Sequence, residues 1–177
     1  MPPGGDTPPP RPFPTRIAGI LNMTEDSFSD GGRWLDPDRA FERALELVAQ
    51  GADVIDLGAA SSRPGAIPVP AAEEIHRLES VVDRLIARGV PLSIDTFSPD
   101  TQRWALARGV DWLNDIQGFP DPELDPDLAR AHCGLVVMHS VQRTGPATRV
   151  DTDADEVLRG IDAFFEERIA RLEAAGV

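Results

Sequence analysis

Short apolar runs alternate with amphipathic stretches through most of the chain. Runs of strand length fall at 17–22 (IAGILN), 53–58 (DVIDLG), 90–97 (VPLSIDTF), 111–116 (DWLNDI) and 134–139 (GLVVMH). Between them the apolar residues recur at helical spacing. Ala40, Phe41, Ala44, Leu45 and Val48 make one face of a helix over 37–50. Asp36 suits its N-cap, Pro37 its first position and Gly51 its stop. A second helix over about 71–88 aligns Ile75, Leu78, Val81, Val82 and Leu85 and stops at Gly89. A third, about 99–108, carries Trp104, Ala105 and Ala107 and stops at Gly109; a fourth, about 124–132, is short. The last, about 153–175, carries Val157, Ile161, Phe164, Phe165, Ile169 and Leu172 and stops at Gly176.

Repeated βα units imply a parallel sheet covered by helices. Two architectures compete, a (β/α)8 barrel and a doubly wound sheet. A dinucleotide-binding doubly wound fold needs a glycine-rich phosphate loop after its first strand. Asn22-Met23-Thr24 stand there instead and GxGxxG is absent, so the TIM (β/α)8 barrel is the expected fold. The chain then supplies about the first five βα units over 16–177, after a flexible Pro-rich tail over 1–15. A barrel of this class has eight strands in roughly 250 residues. An open sheet edge and an uncovered side of the core are therefore expected here.

Composition narrows the function. Seventeen basic against thirty acidic residues give a formal net charge of −13, which argues against a nucleic-acid surface or an anionic membrane surface. No stretch approaches the ~18 apolar residues of a membrane-spanning helix, and the first residues lack the pattern of a secretion signal. The single cysteine, Cys133, excludes an internal disulfide framework and fits a reducing compartment. It reads as a small buried hydrophobe. A cytoplasmic setting is expected, and a small anionic ligand stays possible, because a local site can be positive on an acidic protein.

In βα barrels the polar residues at the C-terminal strand ends line the active site. Here those ends carry Asn22, then Thr24, Asp26, Ser27, Ser29 and Asp30; Ser61, Ser62 and Arg63, then Pro64; Asp95-Thr96; Asn114-Asp115; and Met138-His139. Each alone has a structural explanation as a cap, a packing group or a surface pair. Five successive strands delivering amide, carboxylate or cationic groups at equivalent ends are harder to explain that way. Asp95 with Asn114 suits a planar heterocycle, because a carboxylate facing an N–H/NH2 pair makes two parallel hydrogen bonds. Asn22 offers a carbonyl oxygen to Mg2+, and the Arg63 fork suits phosphate or carboxylate. The polar segments 23–36 and 61–70 lie at the rim, where they can close over a substrate.

The string Gly19-Ile-Leu-Asn-Met-Thr-Glu-Asp-Ser-Phe-Ser-Asp-Gly-Gly32 resembles the first signature of the dihydropteroate synthases. Ser61-Ser-Arg-Pro-Gly-Ala66, after Asp56-Leu-Gly58, is similar to the second; Ser93-Ile-Asp-Thr96, Asn114-Asp-Ile116 and Met138-His139 fall at the later positions. The resemblance covers about 17–177. It implies a (β/α)8-barrel transferase of folate biosynthesis, dimeric when full length and a sulfonamide target. Such an enzyme joins 6-hydroxymethyl-7,8-dihydropterin pyrophosphate to p-aminobenzoate with the help of Mg2+. Carried over by position, it implies Asp56, Asp95, Asn114, Ile116 and Met138 around the pterin. Asn22 is implied as the metal and pyrophosphate residue, with Asn22, Arg63 and Asp95 closest to the chemistry. Thr24, Asp26, Ser27 and Phe28 fall in the first loop, and Ser61, Ser62, Arg63 and Pro64 in the second, shaping the p-aminobenzoate pocket.

The chain departs from the family pattern at Glu25 (usually proline), Ala60 (usually glutamate) and Ser62 (usually threonine). Gln117-Gly118-Phe119 follow Ile116 in place of a small set and are expected to crowd the pocket. The family's sixth-strand aspartate, seventh-strand lysine and eighth-strand arginine and histidine have no counterpart in these residues. Two further readings stay open, a pterin-binding methyltransferase domain and a catalytically silent homologue that binds a pterin or a partner. On the missing strands alone, this polypeptide is expected to show little or no synthase activity. An assay of dihydropteroate formation by the purified chain tests that, and robust turnover would overturn it.

Overall fold

The fold follows from five buried apolar runs that pair side by side and leave the helices on one face. The computed structural model describes residues 15–24, 36–61, 66–140 and 153–177. In chain order the elements are β1 (Ala18–Asn22), α1 (Pro37–Ala49), β2 (Val54–Gly58), α2 (Ala71–Ala87), β3 (Leu92–Asp95) and α3 (Pro99–Ala107). They continue with β4 (Trp112–Asp115), a 3-10 turn (Pro122–Leu124), α4 (Asp125–Arg130), β5 (Gly134–Val137) and α5 (Ala154–Ala175). The tail expected over 1–15 lies almost wholly outside the described residues.

The strands form one parallel sheet in the order β1-β2-β3-β4-β5. That order never reverses, whereas a doubly wound sheet reverses at its switch point. Burial says the same. Leu21, Ile55, Leu57, Leu92, Ile94 and Leu113 point to the helices and are sealed in the core, while Ile20 on the opposite face is 65% exposed. Helices cover one face only, as in the first five units of a (β/α)8 barrel. Among the described residues β1 and β5 each pair on one side.

The helices begin and end where the sequence predicts. Asp36 caps α1 by accepting from the Asp38 N–H at 2.9 Å, with Pro37 in the first turn. Ser98 caps α3, and Gly176 ends α5 at φ 90°. The apolar faces differ at some positions. Val48 and Ile169 are exposed, as is Ala107. On α3 the buried residues are Thr101, Gln102 and Ala105, so the inward face is largely polar. Cys133 is partly buried against the core, and burial followed by the nearby Asp111 charge pushes its thiol up to about 11. It is inert at neutral pH.

Each neighbouring pair of helices is bridged by an arginine and an aspartate. Arg84 of α2 meets Asp38 of α1 at 2.8 Å, and Arg108, at the end of α3, meets Asp83 of α2 at 3.0 Å. Arg103 of α3 meets Asp127 of α4 at 3.1 Å, and Arg171 of α5 meets Asp125 of α4 at 3.3 Å. The first three, exposed or partly so, contribute about 0.2–1 kcal/mol each; Asp125 in the fourth is buried.

Gly89 and Gly118 have nearly the same left-handed φ, 66° and 65°. A Cβ on Gly89 would meet nothing within 4 Å, whereas one on Gly118 would stand 2.7 Å from Phe164 Cζ and 2.9 Å from the Met138 carbonyl oxygen. Gly89→Ala should therefore cost about 1 kcal/mol from backbone strain alone. Gly118→Ala should cost at least about 1 kcal/mol more from overpacking. Urea denaturation of both variants measures the difference; equal losses would mean that Phe164 and Met138 give way freely.

Candidate functional site

Period-two alternation and parallel register decide which polar residues share a face. Asn22 pairs with Gly58, Gly58 with Asp95, Asp95 with Asn114, and Asn114 with Val136. These residues form one row across the C-terminal end of the sheet, on the face away from the helices. The row beneath runs Ile20, Asp56, Ser93, Trp112 and Gly134. Asn22, Asp56, Asp95 and Asn114 thus come together as the sequence predicts. Met138 follows β5 on the same alternation and is 48% exposed; Ile116, in the turn after β4, is partly buried.

Gly58 is what lets the row close up. Its absent side chain leaves a gap into which its two neighbours lean. A Cβ there would stand 3.2 Å from Asn22 Oδ1 and 3.5 Å from Asp95 Oδ2. Asn114 Nδ2 donates to Asp56 Oδ2 at 3.2 Å. Asp56 is only 9% exposed, and its Oδ1 has no hydrogen-bond partner among the described residues. A buried carboxylate oxygen without a donor is costly. At the mouth of a site it is a ready acceptor for a ligand N–H.

Asp95 sits at the centre of this negative charge. Burial, then the charges of Asp56, Asp115 and Glu74, raise its carboxyl from the ordinary 3.8 to about 7. Glu74 of α2 is itself buried, which raises its pKa, and it accepts from the Thr101 hydroxyl at 2.7 Å. Among the described residues no cluster of three or more His, Cys, Asp or Glu side chains is arranged to hold a metal ion. Asn22 Oδ1, at the end of the row, is an oxygen donor of the type that hard cations take.

Thr24 and Ser61 line an open cleft of about 260 Å3 with Ile67, Pro68, Glu73 and Arg77. Asp26, Ser27, Phe28, Ser62, Arg63 and Pro64, with the departures Glu25 and Ser62, lie outside the described residues. Ala60 follows β2, partly buried. The crowding expected of Gln117 and Phe119 does not arise on the ligand face: Phe119 is 1% exposed within the helix-side core and Gln117 is buried. His139 packs its ring edge-to-face on Phe164, centroids 5.1 Å apart.

Sequence reasoning had put Asp115 with the strand-end set. It is adjacent to Asn114 on one strand and so points the other way, into the helix layer, where it is fully buried. Alternation alone could have predicted this. Gln102 and Gly58 were missed because a helix glutamine and a strand glycine carry no chemical signal in isolation.

The model of the family described as "Pterin binding enzyme" matches residues 18–177. The chain is 54% identical over 163 residues to the dihydropteroate synthase type-3 of Escherichia coli, covering 92% of this chain and 62% of that protein. It is 51% identical over 166 residues to the type-1 enzyme of Mycolicibacterium fortuitum, covering 91% and 57%. It superposes on the dihydropteroate synthase of Burkholderia cenocepacia in complex with 7,8-dihydropteroate with a TM-score of 0.78 at 37% identity, over 92% of this chain and 54% of that one. The sulfonamide complex of the Yersinia pestis enzyme gives 0.80 at 34%, over 92% and 59%. The chain spans about three fifths of the length of the curated relatives it matches.

The raised Asp95 carboxyl makes stability depend on pH. The folded chain keeps this proton to about pH 7 while the unfolded chain releases it near 3.8. This stability contribution is full below the unfolded pKa and is lost as pH rises from there to about 7. Asp95→Asn removes the loss. Its Tm relative to the parent should be higher at pH 8 than at pH 4; a difference that does not change with pH would refute the burial of charge at Asp95.

Proposed function

The chain belongs to the family of pterin-binding enzymes, and from there we propose that it carries the pterin-holding part of a cytoplasmic, homodimeric dihydropteroate synthase. The reaction joins the methylene carbon of 6-hydroxymethyl-7,8-dihydropterin pyrophosphate to the amine nitrogen of p-aminobenzoate. The carbon–oxygen bond to pyrophosphate breaks and the amine gives up a proton. The observation that carries the reading is the row of Asn22, Asp95 and Asn114 above the unpartnered Asp56 oxygen.

A pterin edge offers a ring N–H beside an exocyclic NH2. Ionised Asp95 accepts from such a pair, Asp56 Oδ1 takes a further donor, and Asn114 can both donate and accept. Ile116 and Met138 supply apolar contact beside the ring. No acylating nucleophile is needed; the site holds the pterin, stabilises departing negative charge and presents the amine in line. On this reading the cleft at Thr24 and Ser61 takes p-aminobenzoate, and the same cleft would take a sulfonamide. Asp26, Ser27, Phe28, Ser62 and Pro64 complete its two loops on this reading, with Arg63 as the cation facing pyrophosphate. Asn22 is the residue that would hold Mg2+, which when bound supplies positive charge against the leaving group.

Titration calorimetry of the chain with 6-hydroxymethylpterin monophosphate tests the reading. Asp95→Ala and Asn114→Ala should each weaken binding by about tenfold or more, the loss of a charge-assisted or buried hydrogen bond. Affinity for the parent should fall as pH drops through about 7, where Asp95 takes up its proton. Absence of binding by the parent, or unchanged affinity in both variants, would overturn it.

A further inference from the structure

Asp115 points into the helix layer, yet its carboxylate holds the turn after β4 and, through Gln102, reaches the residue after β3. Its Oδ1 accepts from the Gln117 N–H at 2.7 Å, and its Oδ2 accepts from the Phe119 N–H at 2.9 Å and from Gln102 Nε2 at 3.0 Å. Its carbonyl oxygen accepts from the Gly118 N–H at 2.9 Å and the Met138 N–H at 3.4 Å. Gln102 Nε2 also donates to the Thr96 carbonyl at 3.0 Å. One buried side chain from α3 thus braces the residue after Asp95 to the residue after Asn114.

The turn that Asp115 holds is unusual. Gly118 and Phe119 both have left-handed backbone, at φ 65° and 59°. For a bulky residue such as Phe119 that conformation is strained and persists only where surrounding contacts enforce it. Contacts come from both sides. Asp115 holds the N–H groups, while from α5 Arg168 donates to the carbonyls of Gln117 and Gly118, and Arg171 to that of Phe119. Burial raises the Asp115 carboxyl, and the Gln117 N–H, the Gln102 amide, the Phe119 N–H and the Arg168 charge all work against that rise.

We propose that Asp115 is the positioning residue of the site, its side chain tying the end of β3, through Gln102, to the turn after β4 behind the sheet so that Asp95 and Asn114 keep one spacing on its front. Gln102 and the two arginines of α5 act with it. The inference rests on the pterin reading for the identity of the ligand; its geometric part does not.

Two measurements on the 177-residue chain test it. The first is hydrogen exchange of Asp115→Asn, which replaces one acceptor oxygen by an NH2 facing other donors. Exchange should quicken at the Gln117 and Phe119 amides; unchanged exchange there overturns the proposal whether or not a pterin binds. The second is the affinity for 6-hydroxymethylpterin monophosphate, measured well below each variant's Tm. Asp115→Asn should weaken it by about tenfold, the size of one lost hydrogen bond, and Gln102→Leu should weaken it in the same direction. Gln102→Leu is also the fallback if Asp115→Asn does not fold. Leu85→Ala is the control, since Leu85 is buried where α2 turns toward the start of β3, at the far end of the sheet. It should lose stability and keep the parent affinity. Equal weakening in Leu85→Ala, or parent-like affinity in Asp115→Asn, overturns the proposal. Absence of binding by the parent would instead remove the pterin reading and leave the exchange result to decide.

Discussion

The site depends on the register of a parallel sheet. Side chains alternate across a strand, so a one-residue slip moves every side chain to the other face. Slipping β3 by one would bury Asp95 among Ile55, Leu57 and the helices and turn Ile94 outward. The observed register is held by that penalty: Leu92, Ile94 and Leu113 fill the helix-side core without exposure. The apolar packing that makes the sheet therefore also lines up Asn22, Gly58, Asp95 and Asn114 at its end. Fold and site are one consequence of the same alternation.

A second constraint is the charge gathered behind and within that row. Asp56, Asp95, Asp115 and Glu74 all lie near the ends of β2, β3 and β4, and burial raises the pKa of Glu74, Asp95 and Asp115. The chain offsets this differently on each face. On the helix side Asp115 is saturated with N–H donors and faced by Arg168. On the ligand side Asp56 Oδ1 has no donor and Asp95 stays near neutrality in its titration. Asp115 is satisfied by the protein, whereas Asp56 Oδ1 on the ligand side is not; Glu74 Oε1, in the helix layer, is likewise buried without a partner among the described residues.

Much of this was legible in the sequence. The five apolar runs, the cap at Asp36 and the glycine stops gave the βα alternation, because each signal is local. The row of Asn22, Asp95 and Asn114 was legible because equivalent strand ends meet once the sheet is parallel. What escaped was non-local. The inward face of α3 carries Thr101 and Gln102, polar side chains whose partners, Glu74, Thr96 and Asp115, come from α2, the residue after β3, and β4. Val48 looked like core from its spacing but lies at the end of α1, beyond the sheet's cover. Gln117 and Phe119 looked like pocket residues, since nothing in the sequence announces a turn with two left-handed residues that throws Phe119 into the core.

The central claim is that Asp95 is a half-buried acceptor waiting for a ligand's N–H donors. The direct measurement is the 13C shift of its carboxyl carbon followed against pH, with and without 6-hydroxymethylpterin monophosphate. The account predicts a midpoint near 7 in the free chain and a lower one with ligand, because donated hydrogen bonds favour the ionised form. A midpoint in the ordinary carboxylate range that the ligand leaves unmoved would contradict it.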